Sequence, residues 1–228
     1  MTRKHQRVST LSPMPPKHLA FATIAIAFFA CLDDDAENKP DSSSVDNDSY
    51  STPLEYDGKA YNTVKIGTQI WMAENLNDEV EGSKCYENNP TNCARYGRLY
   101  NWETAMKACP KGWHLPSSEE WDKLYRFGKT GPESPYISEV AGEHLKAAGG
   151  WKDRGSGTNH YGFSALPGGR GYSGGSFDYV GYKGYWWTAN GYANGLAQRR
   201  SMGYSSHGAG WDNIGKSSLF SVRCVRNK

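Results

Sequence analysis

The chain has 228 residues, of which 37% are hydrophobic and 13% aromatic, with 26 glycines and a formal charge of +2. So many rings exclude a disordered chain, and glycines without a triplet period exclude collagen. A charge this small excludes the dense basic stripe of a nucleic-acid binder, and the length suits one ordinary domain or two small ones.

In chain order, Arg3, Lys4, Arg7 and Lys17 give a positive start with no acid before Asp33. Residues 19–30 (LAFATIAIAFFA) are apolar apart from Thr23. As a helix they would reach about 18 Å at ~1.5 Å per residue, short of a hydrocarbon core of ~30 Å. Residues 1–30 therefore read as a signal peptide and not as a membrane span. Cys31 directly follows the small residue Ala30, which resembles a bacterial lipoprotein signal in which this cysteine carries the lipid; Phe28 and Phe29 depart from its usual pattern. On this reading the protein is exported to the cell envelope, at the outer membrane or cell surface, and meets the membrane through the anchor only. The alternative is an ordinary signal that Cys31 merely closes. Residues 31–53 hold seven acids and one lysine with few large aliphatic side chains, as a solvated tether does.

Residues 54–228 read as one domain. Cys85, Cys93, Cys109 and Cys224 make an even set, which in an exported chain suggests two disulfides with three possible pairings. Cys85 and Cys93 enclose YENNPTN, a run of turn formers suited to a local clip, which leaves Cys109 for Cys224. Zinc would need tight CxxC or HxxxH pairs, and His114, His144, His160 and His207 lack such spacing.

Asp57-Gly58 signals a turn, and residues 61–72 read as a hairpin around Gly67-Thr68. Behind Asn101 as N-cap, Trp102, Ala105, Met106 and Cys109 form the apolar stripe of a short helix. Ser117 and Glu120 form a capping box ahead of Trp121, Leu124 and Tyr125. A third short helix is expected over 138–147, using Val140, Ala141, His144 and Leu145. Residues 149–195 hold fourteen glycines and eleven aromatics and read as long loops with short strands. Residues 219–225 alternate, placing Phe220, Val222 and Cys224 on one face of a final strand.

Several segments then carry a resemblance: 64–77 (VKIGTQIWMAENLN), 96–102 (YGRLYNW), 109–116 (CPKGWHLP), Glu120-Trp121, 162–169 (GFSALPGG), 187–189 (WTA) and 222–225 (VRCV). Together they closely resemble the Fibrobacter succinogenes major paralogous domain, a family of exported bacterial proteins without established enzymatic activity. The resemblance implies an α+β, C-type lectin-like fold. Such a fold has two to three short helices on small antiparallel sheets, with a long glycine- and aromatic-rich loop region. It also implies a disulfide from the first helix to the last strand, where Cys109 and Cys224 fall.

Three features bear on chemistry. Trp211-Asp212-Asn213 is similar to a calcium-binding stretch of sugar-binding lectins. Its order differs and no partner motif is present, so an Asx-rich turn is expected and no cofactor is assigned, with calcium through Asp212 and Asn213 as the only candidate. Residues 169–174 match GxGxxG without the helix that a dinucleotide site needs. Tyr172, Phe177, Tyr179, Tyr182, Tyr185 and Tyr192 stand on glycine-rich backbone and are the candidate ligand-binding residues, whereas at least one of Trp186 and Trp187 is expected in the core. The acids Glu119, Glu120, Glu133, Glu139 and Glu143 read as helix-start or solvated residues. The expected function is a non-catalytic surface binding module for polysaccharide or an envelope protein. The alternatives are an oxidase like the formylglycine-generating enzymes, which would need a free cysteine pair, and a ligand-free structural protein.

Overall fold

A computed structural model describes residues 50–127 and 140–227. The signal segment, Cys31, most of the tether, Glu133, Glu139 and the expected helix start at Ser138 lie outside the described residues. Among the described residues, no helix is long and apolar enough to cross a membrane.

The chain opens with an antiparallel meander of β1 (Tyr50–Tyr56), β2 (Lys59–Ile66) and β3 (Gln69–Met72). Asp57 and Gly58 both take positive φ, 47° and 67°, the conformation that a tight hairpin turn demands. The hairpin of β2 and β3 is the one expected around Gly67-Thr68. β1 reaches back into residues 50–53, assigned above to the tether. Tyr50 and Ser51 pair with Val64 and Thr63, and the Thr63 hydroxyl donates to the Thr52 carbonyl at 3.0 Å. Backbone pairing holds this part of β1, so its polar sequence gave no apolar signal.

The helices are short. α1 (Pro90–Tyr96) starts inside the segment expected to be a turn-rich clip and runs past Cys93, capped by Asn89 with proline at its first position. α2 (Trp102–Ala108) starts at the Asn101 cap and buries Trp102 and Ala105. Met106, expected on its stripe, is exposed, and Cys109 ends the helix on extended backbone. α3 (Ser118–Arg126) carries the full capping box and buries Trp121, Leu124 and Tyr125. α4 (Ala141–Leu145) buries Ala141 and Leu145, with Val140 exposed ahead of it.

The remaining strands are β4 (Ser83–Lys84), β5 (Leu99–Tyr100), β6 (Trp113–His114), β7 (Gly168–Gly171), β8 (Phe177–Val180), β9 (Lys183–Gly191), β10 (Leu196–Gly203), β11 (Ala209–Gly215), β12 (Phe220–Ser221) and β13 (Val225–Arg226). One sheet runs β1-β2-β3-β13-β6; the other runs β11-β10-β9-β12-β5-β4, with β7 also pairing β9 and β8 pairing β7. The fold is thus α+β, and its second sheet is mixed where only antiparallel pairing was expected, because β12 and β7 lie parallel to β9.

The C-terminal segment differs from the single strand the alternation suggests. Phe220, Val222 and Cys224 do share one buried side. The segment nevertheless breaks into β12, which lies between β9 and β5, and β13, which lies between β3 and β6. Leu76 N donates to Val222 O at 2.9 Å and Met72 N to Cys224 O at 3.1 Å, so the segment sews one sheet to the other.

The residue that forces this path is Arg223, fully buried on the side opposite Cys224. Its Nε and Nη2 donate to Asn75 Oδ1 at 3.2 and 2.8 Å, its Nη1 to the Phe163 and Met72 carbonyls, and its Nη2 to Ser164 O at 3.2 Å. Trp186 Nε1 donates to the same Asn75 oxygen at 2.9 Å, and Asn75 Nδ2 donates to Tyr96 O at 2.9 Å. Burial pulls the guanidinium pKa down, with Glu74 opposing. Carbonyl dipoles and the Phe163 ring, 4.3 Å from the guanidinium carbon, replace its water.

Trp186 and Trp187 are both fully buried, where at least one was expected to be. As neighbours on β9 they point to opposite faces. Trp186 joins Trp71, Trp121 and Phe163, while Trp187 joins Tyr100, Phe220 and Val222. Disulfides join Cys85 to Cys93 and Cys109 to Cys224, the latter tying the end of α2 to the C-terminal segment.

Two stability tests follow from this arrangement. Asn75→Ala orphans donors of Arg223 and Trp186 together, and chemical denaturation should show a loss of about 3–5 kcal/mol. Replacing Cys109 and Cys224 by serine opens a loop of 115 residues. It should cost about 4–5 kcal/mol, against about 2–3 kcal/mol for the local Cys85–Cys93 pair, by the same measurement.

Candidate ligand-binding face

Register decides which side chains of the second sheet share a face. Tyr185 lies opposite Ser201, Arg199 opposite Trp187 on one side and Asp212 on the other, and Ser201 opposite Gly210. With a period of two, Lys183, Tyr185, Arg199, Ser201 and Asp212 therefore lie on one face, and Trp186, Arg200 and Trp211 on the other.

The β7–β8 hairpin leans over the first of these faces and adds Arg170, Tyr172, Asp178 and Tyr179. Arg170 holds Asp178 through two bonds, Nε to Oδ1 at 2.8 Å and Nη2 to Oδ2 at 3.3 Å, and the Tyr172 hydroxyl donates to Oδ2 at 2.9 Å. The Arg170 guanidinium carbon lies 4.7, 5.0 and 5.9 Å from the ring centres of Tyr172, Tyr179 and Tyr185. Lys183 Nζ is 4.9 Å from the Tyr179 ring; Arg199 is 4.2 Å from the Tyr185 ring and 5.4 Å from Phe220. Cations and rings thus alternate in a ladder from Lys183 through Tyr179, Arg170, Tyr185 and Arg199 to Phe220. Each contact contributes on the order of 0.5–2 kcal/mol. Tyr179 holds its place from a left-handed backbone, φ 67°, which an aromatic residue seldom adopts.

The two arginines differ electrostatically. The Asp178 hydrogen bond raises the Arg170 pKa against its partial burial, whereas burial lowers that of Arg199 despite its contact with Asp212. Arg199 donates from Nη2 to Asp212 Oδ2 at 2.7 Å, and its Nε and Nη1 are buried without a hydrogen-bond partner. Its charge is the less compensated one.

Beside Arg199 opens a depression of about 620 Å³ lined by Lys183, Tyr185, Arg199, Ser201, Gly210 and Asp212, with residues 203–208 as its rim. Lys146 reaches that rim from behind, donating from Nζ to the carbonyls of Gly203 at 3.1 Å and Ser206 at 2.9 Å. Burial lowers the Lys146 pKa, with Glu143 opposing. At α4, Glu143 N donates to His207 O at 2.9 Å, and a Cβ on Gly142 would strike the carbonyls of His207 and Gly208. A second depression, of about 500 Å³, lies against α2 and is lined by Asp78, Glu81 and Glu103; its Asp78 carboxylate accepts from the Tyr56 hydroxyl at 3.2 Å.

The six aromatic residues singled out in the sequence do not form one surface. Tyr179, Tyr182 and Tyr192 are exposed, but Tyr192 lies past the far end of β9 and Tyr182 packs edge-on to Tyr204. Tyr172 is half-buried, and half-buried Phe177 packs against Tyr86. Tyr185, one of the candidate ligand-binding residues, is 2% exposed and belongs to the core, because its strand position faces Phe220 and Arg199. Arg170, Lys183 and Arg199 were missed. Their signal was a cation among tyrosines at strand spacing, which a search for rings alone passes over.

Trp211-Asp212-Asn213 is not the Asx turn expected of it; it runs along β11, paired to β10. Asp212 and Asn213 therefore point to opposite faces, and Asp212 is engaged by Arg199. Among the described residues, no three His, Cys, Asp or Glu side chains converge as a metal set would. Residues 169–174 pass from β7 into the turn before β8, and Gly169 is required there by its φ of 68° and by the closeness of the Asp178 carbonyl. His114 pairs with Glu120 and His207 with Glu143, while His144 and His160 pack their rings on Tyr161.

Residues 64–226 match the family model of the Fibrobacter succinogenes major domain. The chain belongs to that family. No curated protein and no solved structure matches it. In this member of the Fibrobacter succinogenes major domain family, the segments that carry the resemblance build the scaffold: Trp71, Asn75, Trp121, Phe163, Trp187, Arg223 and Cys224 are all buried. The cations of the ladder lie outside those segments.

Lys146→Met removes the two bonds that its Nζ makes to the rim. Hydrogen exchange should show faster exchange across residues 203–208, with little change in the β9–β10 amides.

Proposed function

We propose that the chain is a non-catalytic binding module of the cell envelope, anchored by a lipid at Cys31, that recognises polysaccharide through the face built from β7 to β11. The observation that carries this reading is the ladder of alternating cations and tyrosines. Its outer members, Lys183, Tyr179 and Arg170, reach solvent on amphipathic side chains of the kind that binding sites use, and its buried members, Tyr185, Arg199 and Phe220, hold them on the strands. We read the fold as C-type lectin-like. Supporting this are the disulfide from the end of α2 to the C-terminal segment and the glycine-rich stretch 149–195 that supplies the face. Cys85, Cys93, Cys109 and Cys224 are all spent in disulfides, which favours binding over cysteine-pair oxidase chemistry.

The test is affinity electrophoresis of the mature chain through gels containing plant and bacterial polysaccharides. Retention is expected on at least one. The double substitution Tyr172→Ala with Tyr179→Ala should weaken it by about tenfold or more, with the thermal midpoint shifted little. Retention on none of the gels, together with capture of an envelope protein that the double variant loses, would replace polysaccharide by a protein partner. Palmitate labelling that persists in Cys31→Ala would remove the anchor from the reading.

A further inference from the structure

We infer that the depression between β9, β10 and β11 receives a carboxylate, so that the polysaccharide bound is an acidic one built from uronic acid units. This rests on the reading of the same face as a glycan-binding surface and names the chemistry it selects.

Charge is the first argument. Three cations, Arg170, Lys183 and Arg199, share this face with two acids, Asp178 and Asp212. Asp178 is committed to Arg170 by two bonds and also accepts from Tyr172. Arg199 is left with one bond, through Nη2, to an Asp212 side chain that is 53% exposed. Arg199 itself is more than nine-tenths buried; its Nε and Nη1 are buried without a partner, so an anion from solvent meets it on the Nη2 side, beside Asp212. A buried guanidinium so lightly compensated favours an added anion beside it.

Shape is the second argument. The guanidinium is a planar fork, and a carboxylate is the planar group that fits it. Asp212 already takes one arm of the fork from within the protein, through Nη2 at 2.7 Å. Being half exposed, it can be shared or displaced at little cost. The floor is low where Gly203 and Gly210 stand: a Cβ at Gly203 would meet nothing within 4 Å, and one at Gly210 would touch only the Ser201 hydroxyl at 3.4 Å. Lys183 lines the same depression and supplies a second cation, while Ser201, Ser205 and Ser206 supply hydroxyls suited to those of a sugar ring. A wide, open, hydroxyl-lined basin fits a saccharide unit better than the narrow slot an extended acidic peptide would fill.

The experiment compares polygalacturonate with its fully methyl-esterified form, which has the same backbone and no charge, and with polyglutamate. The full mature chain should be retained by polygalacturonate, lose retention on the ester, and release as salt rises. Lys183→Gln should weaken retention by about three- to tenfold. Asp212→Asn, which keeps an acceptor for Arg199 Nη2 but removes the competing charge, should strengthen it by a similar factor. Equal retention of acid and ester would overturn the carboxylate while leaving the polysaccharide reading intact. So would weaker binding by Asp212→Asn. Polyglutamate retained as well as polygalacturonate would overturn the choice of a saccharide. Retention by a neutral glucan alone would overturn this inference, and retention by no glycan would overturn it together with the function it rests on.

Discussion

The structure depends on one buried charge. Arg223 is fully buried and, among the described residues, no carboxylate is bonded to it; its guanidinium is held by Asn75 and the carbonyls of residues 72, 163 and 164. Removing a cation from water is costly unless every donor is satisfied, so these segments are fixed relative to one another. Because Arg223 alternates with Val222 and Cys224, satisfying it obliges those neighbours to face the opposite core. The two cores, the broken final strand and the position of the Cys109–Cys224 disulfide follow from that alternation.

Three arginines on the second sheet and its C-terminal neighbour show how one residue type serves different ends. Arg223 is wholly internal. Arg200 turns to the α3 side, pairing with Asp122 at 2.9 Å and donating to Ser118 O at 2.8 Å, which locks that helix to β10. Arg199, its immediate neighbour, points the other way into the ladder, where its bonds are fewest. Two of the three hold the scaffold together, and the remaining one is where an outside anion would gain most.

Much of the scaffold was legible in the sequence. The Asp57-Gly58 turn, the β2–β3 hairpin and the two caps at Asn101 and Ser117 are local signals, and local chemistry decided them. The elements that sequence reading missed are set by distant partners. β1 owes its first residues to pairing with β2. Met106 lies on the right period for burial, but the helix packs through Trp102 and Ala105 and leaves it in solvent. Tyr185 shows the same limit at the candidate site. Its glycine-rich surroundings resemble a surface loop, whereas its strand position, opposite Ser201 and against Phe220, buries it.

The interleaving of residues 220–226 bears on how the chain comes to be folded. Each sheet has an interior gap until these late residues arrive, and three of their four partner strands, β3, β5 and β6, were made more than a hundred positions earlier. Such long-range closure makes folding slow and cooperative, because the entropy of gathering the chain is lost before the contacts that reward it exist. A nascent chain lacking this segment has no finished core to collapse onto. Folding is therefore completed only once the last residues of the chain are free to pair.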